Sequence, residues 1–260
     1  MTEFAFPPAP PSPPKRTGVS KVLLLMIVVA VLGLGAGAYG FGRMVSGYHQ
    51  FTIPSGGAMS PAVNPGDRIV ARALDGEEVH RGDVVVIDSG AFAQADEPGI
   101  SVFRVVGIAG DTVACCADGL LTVNGKPITE SYLGKGEYAT DATATFPFTA
   151  RVPEGTVFVA GDNRGNAFDS RFRGVVRLSG IGGFVVATGT VVTPKPLTPV
   201  TAFTDAGLPG APYTDGTLTG LRWWILGGFV LFAAGLIGVI VSAVRSAGRR
   251  RKAAAAPPAH

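Results

Sequence analysis

The chain has 260 residues, 47% hydrophobic and 16% charged, which is enough for one sizeable domain with further segments. Its formal net charge of +3 lies at the chain ends, because residues 43–222 hold 14 basic and 18 acidic side chains, a net of −4. This balance argues against a nucleic-acid partner. The adjacent pair Cys115 and Cys116, with only three histidines, His49, His80 and His260, argues against a metal site.

The first 42 residues comprise two segments. Residues 1–21 are rich in proline (PPAPPSPPK), and we expect a disordered cytoplasmic tail. Residues 22–42 carry no charge, and at about 1.5 Å per residue they would form a helix about 31 Å long, the thickness of a bilayer core. This run is longer than the apolar core of a cleaved signal peptide, about 7–15 residues, so we expect a retained transmembrane helix. Gly33 and Gly37 have the small-xxx-small spacing that lets helices approach closely.

Residues 43–193 carry the signals of β-strands. Short β-branched runs, separated by Gly, Pro and Asp, read DRIVARA, DVVVID, SVFRVVGI, DTVACC, GLLTVNGKPI, GTVFVAGD and GGFVVATGTVV. The dipeptide Asn124-Gly125 predicts a hairpin turn, and the segments 89–99 and 134–147 read as surface loops. No long stretch has a helical period, so we predict an all-β domain built as a barrel or coiled sheet. The cysteine pair within it is compatible with a disulfide or with two free thiols.

The C-terminal part predicts a return to the membrane. Residues 194–221 are rich in Thr, Pro and Gly and predict a linker, residues 222–245 a second transmembrane helix, and residues 246–260 a basic tail. Because basic residues that flank membrane spans stay in the cytoplasm, we expect a two-pass protein with both termini cytoplasmic and the β domain extracytoplasmic. The basic C-terminal cluster is also suited to contact anionic membrane lipid.

Three segments of the predicted β domain carry distinctive motifs. They read IPSGGAMSPAVNPGD (53–67), FRVVGIAGD (103–111) and GDNRGNAFDSRFRG (161–174). In this order they resemble the nucleophile box, the general-base box and the most distinctive box of the type I signal peptidases, also called leader peptidases. The segment LTVNGKPI is similar to the hairpin between the last two boxes. The resemblance covers roughly residues 44–188.

The resemblance implies a membrane-anchored serine endopeptidase that removes signal peptides from exported proteins at the outer face of a bacterial cytoplasmic membrane. Such enzymes cleave after Ala-x-Ala sites with a Ser/Lys dyad and no cofactor. The physical reason is that a serine hydroxyl needs a base, and a lysine buried among apolar side chains loses its proton easily enough to act as one.

The positions nearest that chemistry depart from the family pattern. Alignment of the boxes puts Ala58 at the nucleophile, Phe103 at the general base, and Ala167 at a serine that orients the lysine. Gly165 replaces an acid, and the first box has one extra glycine. The residues that the family uses as structural support remain: Asp162, Asn163, Arg164, Asp169, Ser170 and Arg171. The sequence therefore predicts a degenerate member, in which the support is kept for the fold and the reactive groups are lost.

An active enzyme with a displaced nucleophile is the alternative. Ser60 follows Met59, and Ser55 matches the family's oxyanion-hole hydroxyl. Neither serine has an evident base in the sequence. The available candidates read as solvated surface groups: Lys126, Lys135, His49 and His80.

A shell without activity can still bind peptides. The resemblance places the walls of an extended-peptide groove at Ile53, Pro54, Met59, Val63, Ser101 and Val102. The partners expected from this interpretation are signal peptides of exported preproteins, an active signal peptidase or the export machinery, and membrane lipid. The same side chains would also suit the core of a β domain.

Overall fold

A computed structural model describes residues 20–53, 56–94, 99–117, 119–133 and 146–254. Several predicted features lie outside these ranges: the Pro-rich tail up to residue 19, Pro54 and Ser55, most of the loop 134–147 with Lys135, and the chain end from residue 255 with His260. The chain divides into a helical unit, residues 1–40 with 223–260, and a β domain, residues 41–222.

Two long apolar helices account for the helical unit. Helix α1 spans Lys21–Gly47 and helix α4 spans Thr217–Ala254, so both extend beyond the predicted spans. Each has the length and composition to cross a membrane. Most of their large apolar side chains are exposed, as is expected of helices whose surroundings are lipid.

Glycines bring the two helices into close contact. A Cβ on Gly33 of α1 would collide with the backbone of Phe232, and a Cβ on Gly228 of α4 would lie 2.8 Å from Cα of Gly37. A Cβ on Gly235 would lie 2.8 Å from Cα of Ala30. The small residues predicted to allow close packing, Gly33 and Gly37, are therefore at the contact.

The described strands of the β domain all pair antiparallel. They are β1 Tyr48–Thr52, β2 Arg68–Arg72, β3 Val84–Asp88, β4 Ile100–Gly107, β5 Thr112–Ala117, β6 Leu120–Val123, β7 Lys126–Pro127, β8 Phe148–Arg151, β9 Thr156–Ala160, β10 Val176–Arg177, β11 Ile181–Gly189 and β12 Pro194–Pro196. The larger sheet has the order β1-β2-β11-β3-β4-β9-β10, with β12 on β11, and the smaller has the order β7-β6-β5-β8. Short helices α2, Ser170–Arg173, and α3, Ala202–Asp205, complete the domain.

The predicted all-β class is confirmed. Each of the seven β-branched runs contains a strand, whereas β1, β8, β10 and β12 were not predicted because they are short or lack β-branched runs. The predicted hairpin joins β6 to β7. Asn124 (φ 55°) and Gly125 (φ 75°) both adopt the left-handed conformation that a two-residue hairpin turn requires. Cys115 and Cys116 form a disulfide on β5.

The segment that was predicted as a linker is packed on the β domain. Residues 194–216 of this segment, called the strap below, place Val200, Phe203 and Leu208 in the apolar cluster beneath the smaller sheet. The ring of Tyr213 stacks on Phe184 at 4.5 Å. Sparse but long-range contacts of this kind cannot be recognised from a Thr-, Pro- and Gly-rich composition.

Polar groups fix the end of the strap. The Tyr48 hydroxyl donates to the Asp215 carboxylate at 2.5 Å and lies 2.5 Å from the Thr217 hydroxyl, which also accepts from Arg72 at 2.8 Å. Burial and the hydrogen bond with Asp215 raise the pKa of Tyr48 to about 12. The strap is thus held to β1 and β2 where it leads into α4.

Candidate active site

The loop of the first box presents Ala58 with an unusual backbone. Gly56 (φ 103°) and Gly57 (φ 59°) both adopt conformations that favour glycine, which explains why the extra glycine is tolerated here. The backbone N–H of Asn163 donates to the Ala58 carbonyl at 2.9 Å, and the Asn163 side chain donates to the Gly57 carbonyl at 3.2 Å. The first and third boxes are therefore joined directly.

Ala58 and Ala167 both lie against Gly161. A Cβ on Gly161 would collide with Cβ of Ala167 and would lie 2.5 Å from the Ala58 carbonyl oxygen. Ala167 is buried and Ala58 is half-buried against the same apolar cluster. The structure thus brings together two of the three positions that the resemblance assigned to the reaction.

Phe103 lies in the same cluster, on β4. Its side chain is 5% exposed and meets Phe92 edge to face, with ring centroids 6.0 Å apart. The Arg173 guanidinium lies over the Phe92 ring, 3.9 Å from its centroid. An aromatic ring therefore fills the position where the resemblance would place a basic side chain.

Buried ion pairs surround this apolar centre. Asp162 receives two hydrogen bonds from Arg104, at 2.8 and 2.6 Å, and Arg104 also donates to the Gly82 carbonyl at 2.8 Å. Burial alone would lower the pKa of Arg104, but the hydrogen bonds and charge of Asp162 raise it, so the guanidinium stays charged. The guanidinium also lies 4.5 Å from the centroid of the Tyr132 ring.

A second buried ion pair, in the third box, follows Ala167 in the sequence. Asp169 accepts from the Nε and Nη2 atoms of Arg171, both at 2.9 Å, and from the Gly161 N–H at 2.8 Å. The Ser170 hydroxyl accepts from the Val159 N–H at 3.0 Å. These bonds hold the third box against β9, because they satisfy backbone groups that burial would otherwise leave unpaired.

Arg164 completes the polar support. It donates to the Gly161 carbonyl at 2.9 Å and to Glu130 at 2.5 Å, and the Tyr132 hydroxyl also donates to Glu130. Burial and the Glu130 charge raise the pKa of Tyr132 well above its ordinary value. Arg104, Glu130 and Tyr132 were not predicted as site residues from the sequence. Arg104 directly follows Phe103 in the second box, and this position could have identified it as a residue of the site.

The alternative nucleophile Ser60 is 7% exposed, and its backbone N–H donates to Gly57 at 3.1 Å. Within the described ranges, none of the candidate bases hydrogen-bonds to its hydroxyl. His49 is exposed on β1, the His80 ring lies against Gly210, and the Lys126 ammonium donates to the Gly207 carbonyl at 2.6 Å.

The predicted groove walls divide into two groups. Met59 (3% exposed), Val63 (1%) and Val102 (8%) are buried in the apolar cluster, whereas Ile53 and Ser101 are half-buried. On β4, residues 100–103 pair with β3 along one edge. Strand β9 pairs with β4 only from residue 104 onward, so along 100–103 no described strand covers the second edge.

The structure thus gathers the first and third boxes and Phe103 of the second at one apolar cluster of an antiparallel β domain, in a chain with two helices long enough to cross a membrane. A family model for the signal peptidases of peptidase family S26 matches residues 21–189. The chain belongs to this family. The match ends before the strap and α4.

Two relatives from Bacillus agree with this assignment. Signal peptidase I of Bacillus licheniformis is 36% identical over 128 residues, 46% of this chain and 64% of that protein. Signal peptidase I of Bacillus caldolyticus is 34% identical over 143 residues, 51% of this chain and 75% of that protein. A crystal structure of a signal peptidase I from Enterococcus faecalis V583 is 28% identical and covers 42% of this chain and 97% of its own, with a TM-score of 0.36.

Proposed function

We propose that this chain is a signal peptidase I family member that binds signal peptides without cleaving them. The observation that carries the proposal is that Ala58, Phe103 and Ala167, the three positions that correspond to the reactive groups, lie in one apolar cluster. None of them has a hydroxyl or an amine. Hydrolysis by a serine peptidase needs a hydroxyl within reach of a base, and neither is provided at these positions.

The surviving residues support a binding role. The ion pairs of Asp162 with Arg104 and of Asp169 with Arg171 keep the boxes in place although the reactive groups are gone. Removing one partner of a buried pair costs about 3–5 kcal/mol, whereas the fold does not depend on a catalytic serine or lysine. A binding domain needs the ion pairs that hold the boxes in place, and it does not need the catalytic serine and lysine.

The proposed binding mode is strand addition. The open edge of β4, residues 100–103, offers backbone hydrogen-bonding groups to an extended peptide. Ala58 and Ala167 belong to the apolar cluster that also contains Val102 and Phe103 of β4, and such small groups suit the small side chains of an Ala-x-Ala segment. Specificity for such peptides would follow from the lack of space for larger side chains.

The location and partners follow from the charges. Basic residues precede α1 and end α4, which favours a two-pass arrangement in a bacterial cytoplasmic membrane with both termini in the cytoplasm and the β domain outside. From this position the domain would meet exported preproteins, and an active signal peptidase or the export machinery is a suitable partner. The basic C-terminal cluster would contact anionic lipid.

The alternative function is proteolysis by a displaced serine. Ser60 is the described candidate, since it lies in the first box two residues after Ala58, while Ser55 lies outside the described residues. This alternative requires a base that reaches Ser60. It predicts that a Ser60→Ala variant loses whatever cleavage the chain performs.

A binding measurement tests the proposal. The full chain in lipid nanodiscs is titrated with a fluorescent peptide that contains Ala-x-Ala, and with a matched peptide in which Leu replaces both alanines. We expect saturable binding of the first, at least about 10-fold weaker binding of the second, and recovery of the first peptide intact. Peptides methylated on alternate backbone nitrogens provide the control, because methylation in one register blocks strand addition and in the other does not. Equal binding of all four peptides, or no binding, would refute the proposal.

A further inference from the structure

The disulfide of the β domain joins two residues that are neighbours in the sequence. Cys115 and Cys116 both lie on β5, and they are the two cysteines of the chain. Cys115 pairs with Leu121 of β6, whereas Ala117 pairs with Leu120, so the register shifts between them. Cys116 is therefore the extra residue of a β-bulge, a feature that re-aims a side chain out of the regular alternation of a strand.

The pair lies at the solvent-facing end of β5. Cys116 is exposed and Cys115 is half-buried. The pairing of β5 with β8 also ends at Cys115. Two residues earlier, Val113 is fully buried and pairs with Val123, which is fully buried as well. A thiol in solution can therefore approach Cys116 while the core of the domain stays closed.

Stabilisation of the fold does not account for this bond. In the chain-entropy view, a disulfide stabilises a protein by restricting its unfolded chain, and the effect grows with the length of the loop that it closes. Cys115 and Cys116 are adjacent, so the bond closes the shortest loop that a chain can form, within a single strand. Exposed disulfides, in contrast, are the ones that react readily with external thiols.

We propose that Cys115 and Cys116 form a redox site that exchanges its disulfide with an external dithiol, which attacks the sulfur of Cys116. The chain has no third cysteine, so the thiols that reduce the bond must come from another molecule. The site goes beyond the proposed peptide binding. Leu121, opposite Cys115, belongs to the apolar cluster beneath the smaller sheet, whereas Ala58 and Phe103 belong to the other cluster.

The exchange transfers two electrons from the dithiol to the protein. One thiolate of the dithiol attacks Sγ of Cys116, the bond between the two protein sulfurs breaks, and Cys115 leaves as a thiolate that takes up a proton. The second thiolate of the dithiol then attacks its own partner sulfur in the mixed disulfide, and Cys116 leaves and is protonated. The external molecule ends as a disulfide and the protein as a dithiol, with the two protons of the former now on the latter.

The first measurement follows reduction of the folded protein. The full chain in lipid nanodiscs is treated with dithiothreitol at neutral pH, its thiols are blocked with N-ethylmaleimide, and the labels are counted by intact mass. We expect no label before treatment and two labels after it, at a rate within about 10-fold of that in urea, and loss of both labels after reoxidation with oxidised glutathione. Reduction that occurs only in urea, or labels that persist under oxidised glutathione, would overturn the proposal.

A matched pair of variants tests which sulfur reacts. Cys115→Ser leaves Cys116 and Cys116→Ser leaves Cys115, and each is mixed with oxidised glutathione. We expect the glutathione adduct to form at least about 10-fold faster on Cys116 in the folded chain, because it is the exposed residue, and at similar rates on both in urea. Equal rates in the folded chain, or a faster Cys115, would show that the assignment of the attacked sulfur is wrong.

Thermal unfolding separates a redox site from a structural disulfide. The double variant Cys115→Ser with Cys116→Ser should unfold within about 3 °C of the oxidised wild type, because the loop that the bond closes is so short. A larger drop would mean that the bond serves the fold, and it would overturn the proposal. None of these measurements involves a peptide, so their outcome is independent of whether the domain binds signal peptides.

Discussion

Replacing Phe103 with lysine tests whether the general-base position is a dry apolar site. Phe103 is 5% exposed and packs edge to face on Phe92. A Phe103→Met variant removes the ring but keeps an apolar chain of similar length to lysine, and should cost about 1–2 kcal/mol of unfolding free energy. Phe103→Lys adds a charge to the same shape. Burial lowers the pKa of a lysine, and each pKa unit of lowering costs about 1.4 kcal/mol of unfolding free energy at neutral pH. We therefore expect Phe103→Lys to lose about 3 kcal/mol more than Phe103→Met.

The pH dependence of this difference separates charge from shape. The introduced amine would be neutral in the folded state and protonated in the unfolded state at pH values between its two pKa values. The unfolded state then binds more protons, so stability rises with pH in that window. The gap between Phe103→Lys and Phe103→Met should therefore narrow as the pH approaches about 10.

The assay is urea unfolding of the full chain in detergent, followed by near-ultraviolet circular dichroism. Wild type, Phe103→Met and Phe103→Lys are compared at pH 7 and pH 9.5. A Phe103→Lys variant as stable as Phe103→Met at both pH values would refute the reasoning, because it would mean that water reaches position 103 and that an ammonium is tolerated there.

Three further outcomes follow from the structure. Arg104→Met should lower the free energy of unfolding in urea by about 3–5 kcal/mol, and the double variant Arg104→Met with Asp162→Leu should recover most of that loss. A double variant no more stable than Arg104→Met would show that the cost does not come from an unpaired Asp162 charge. Gly228→Leu should lower the temperature at which the helices separate in detergent, measured by helical circular dichroism. Gly227→Leu should not, because a Cβ at Gly227 meets nothing within 4 Å, and equal effects of the two variants would contradict the glycine contact. Because the pKa of Tyr48 is raised to about 12, its contribution to stability should be lost as the pH rises from about 10 through 12, and Tyr48→Phe should lack this loss in urea unfolding.

The strands could be predicted from the sequence because their signal is local. The runs at 84–88 and 156–160 are β-branched and bounded by Gly, Pro or Asp, and each forms a strand. The strap could not be predicted in this way. Its contacts join residues far apart in sequence, such as the Tyr213 N–H that donates to Asp83 at 2.6 Å, and only a few of its side chains are buried.

Only part of the candidate site could be predicted from the sequence. The motifs identified the positions of Ala58, Phe103 and Ala167, because box order and spacing are sequence properties. The close approach of Ala58 and of Ala167 to Gly161 depends on how two loops fold against each other. The contact of Phe92 with Phe103 was not predicted, since Phe92 lies in the segment 89–99, which reads as a surface loop.

Cleavage of a preprotein tests the central claim most directly. The full chain in lipid vesicles is incubated with a preprotein that carries an Ala-x-Ala site, and the products are identified by intact mass, with Ser60→Ala and protein-free vesicles as controls. We expect no product above the protein-free rate. A product cut after the Ala-x-Ala site that forms with wild type and disappears with Ser60→Ala would contradict the claim and establish a displaced serine as the nucleophile.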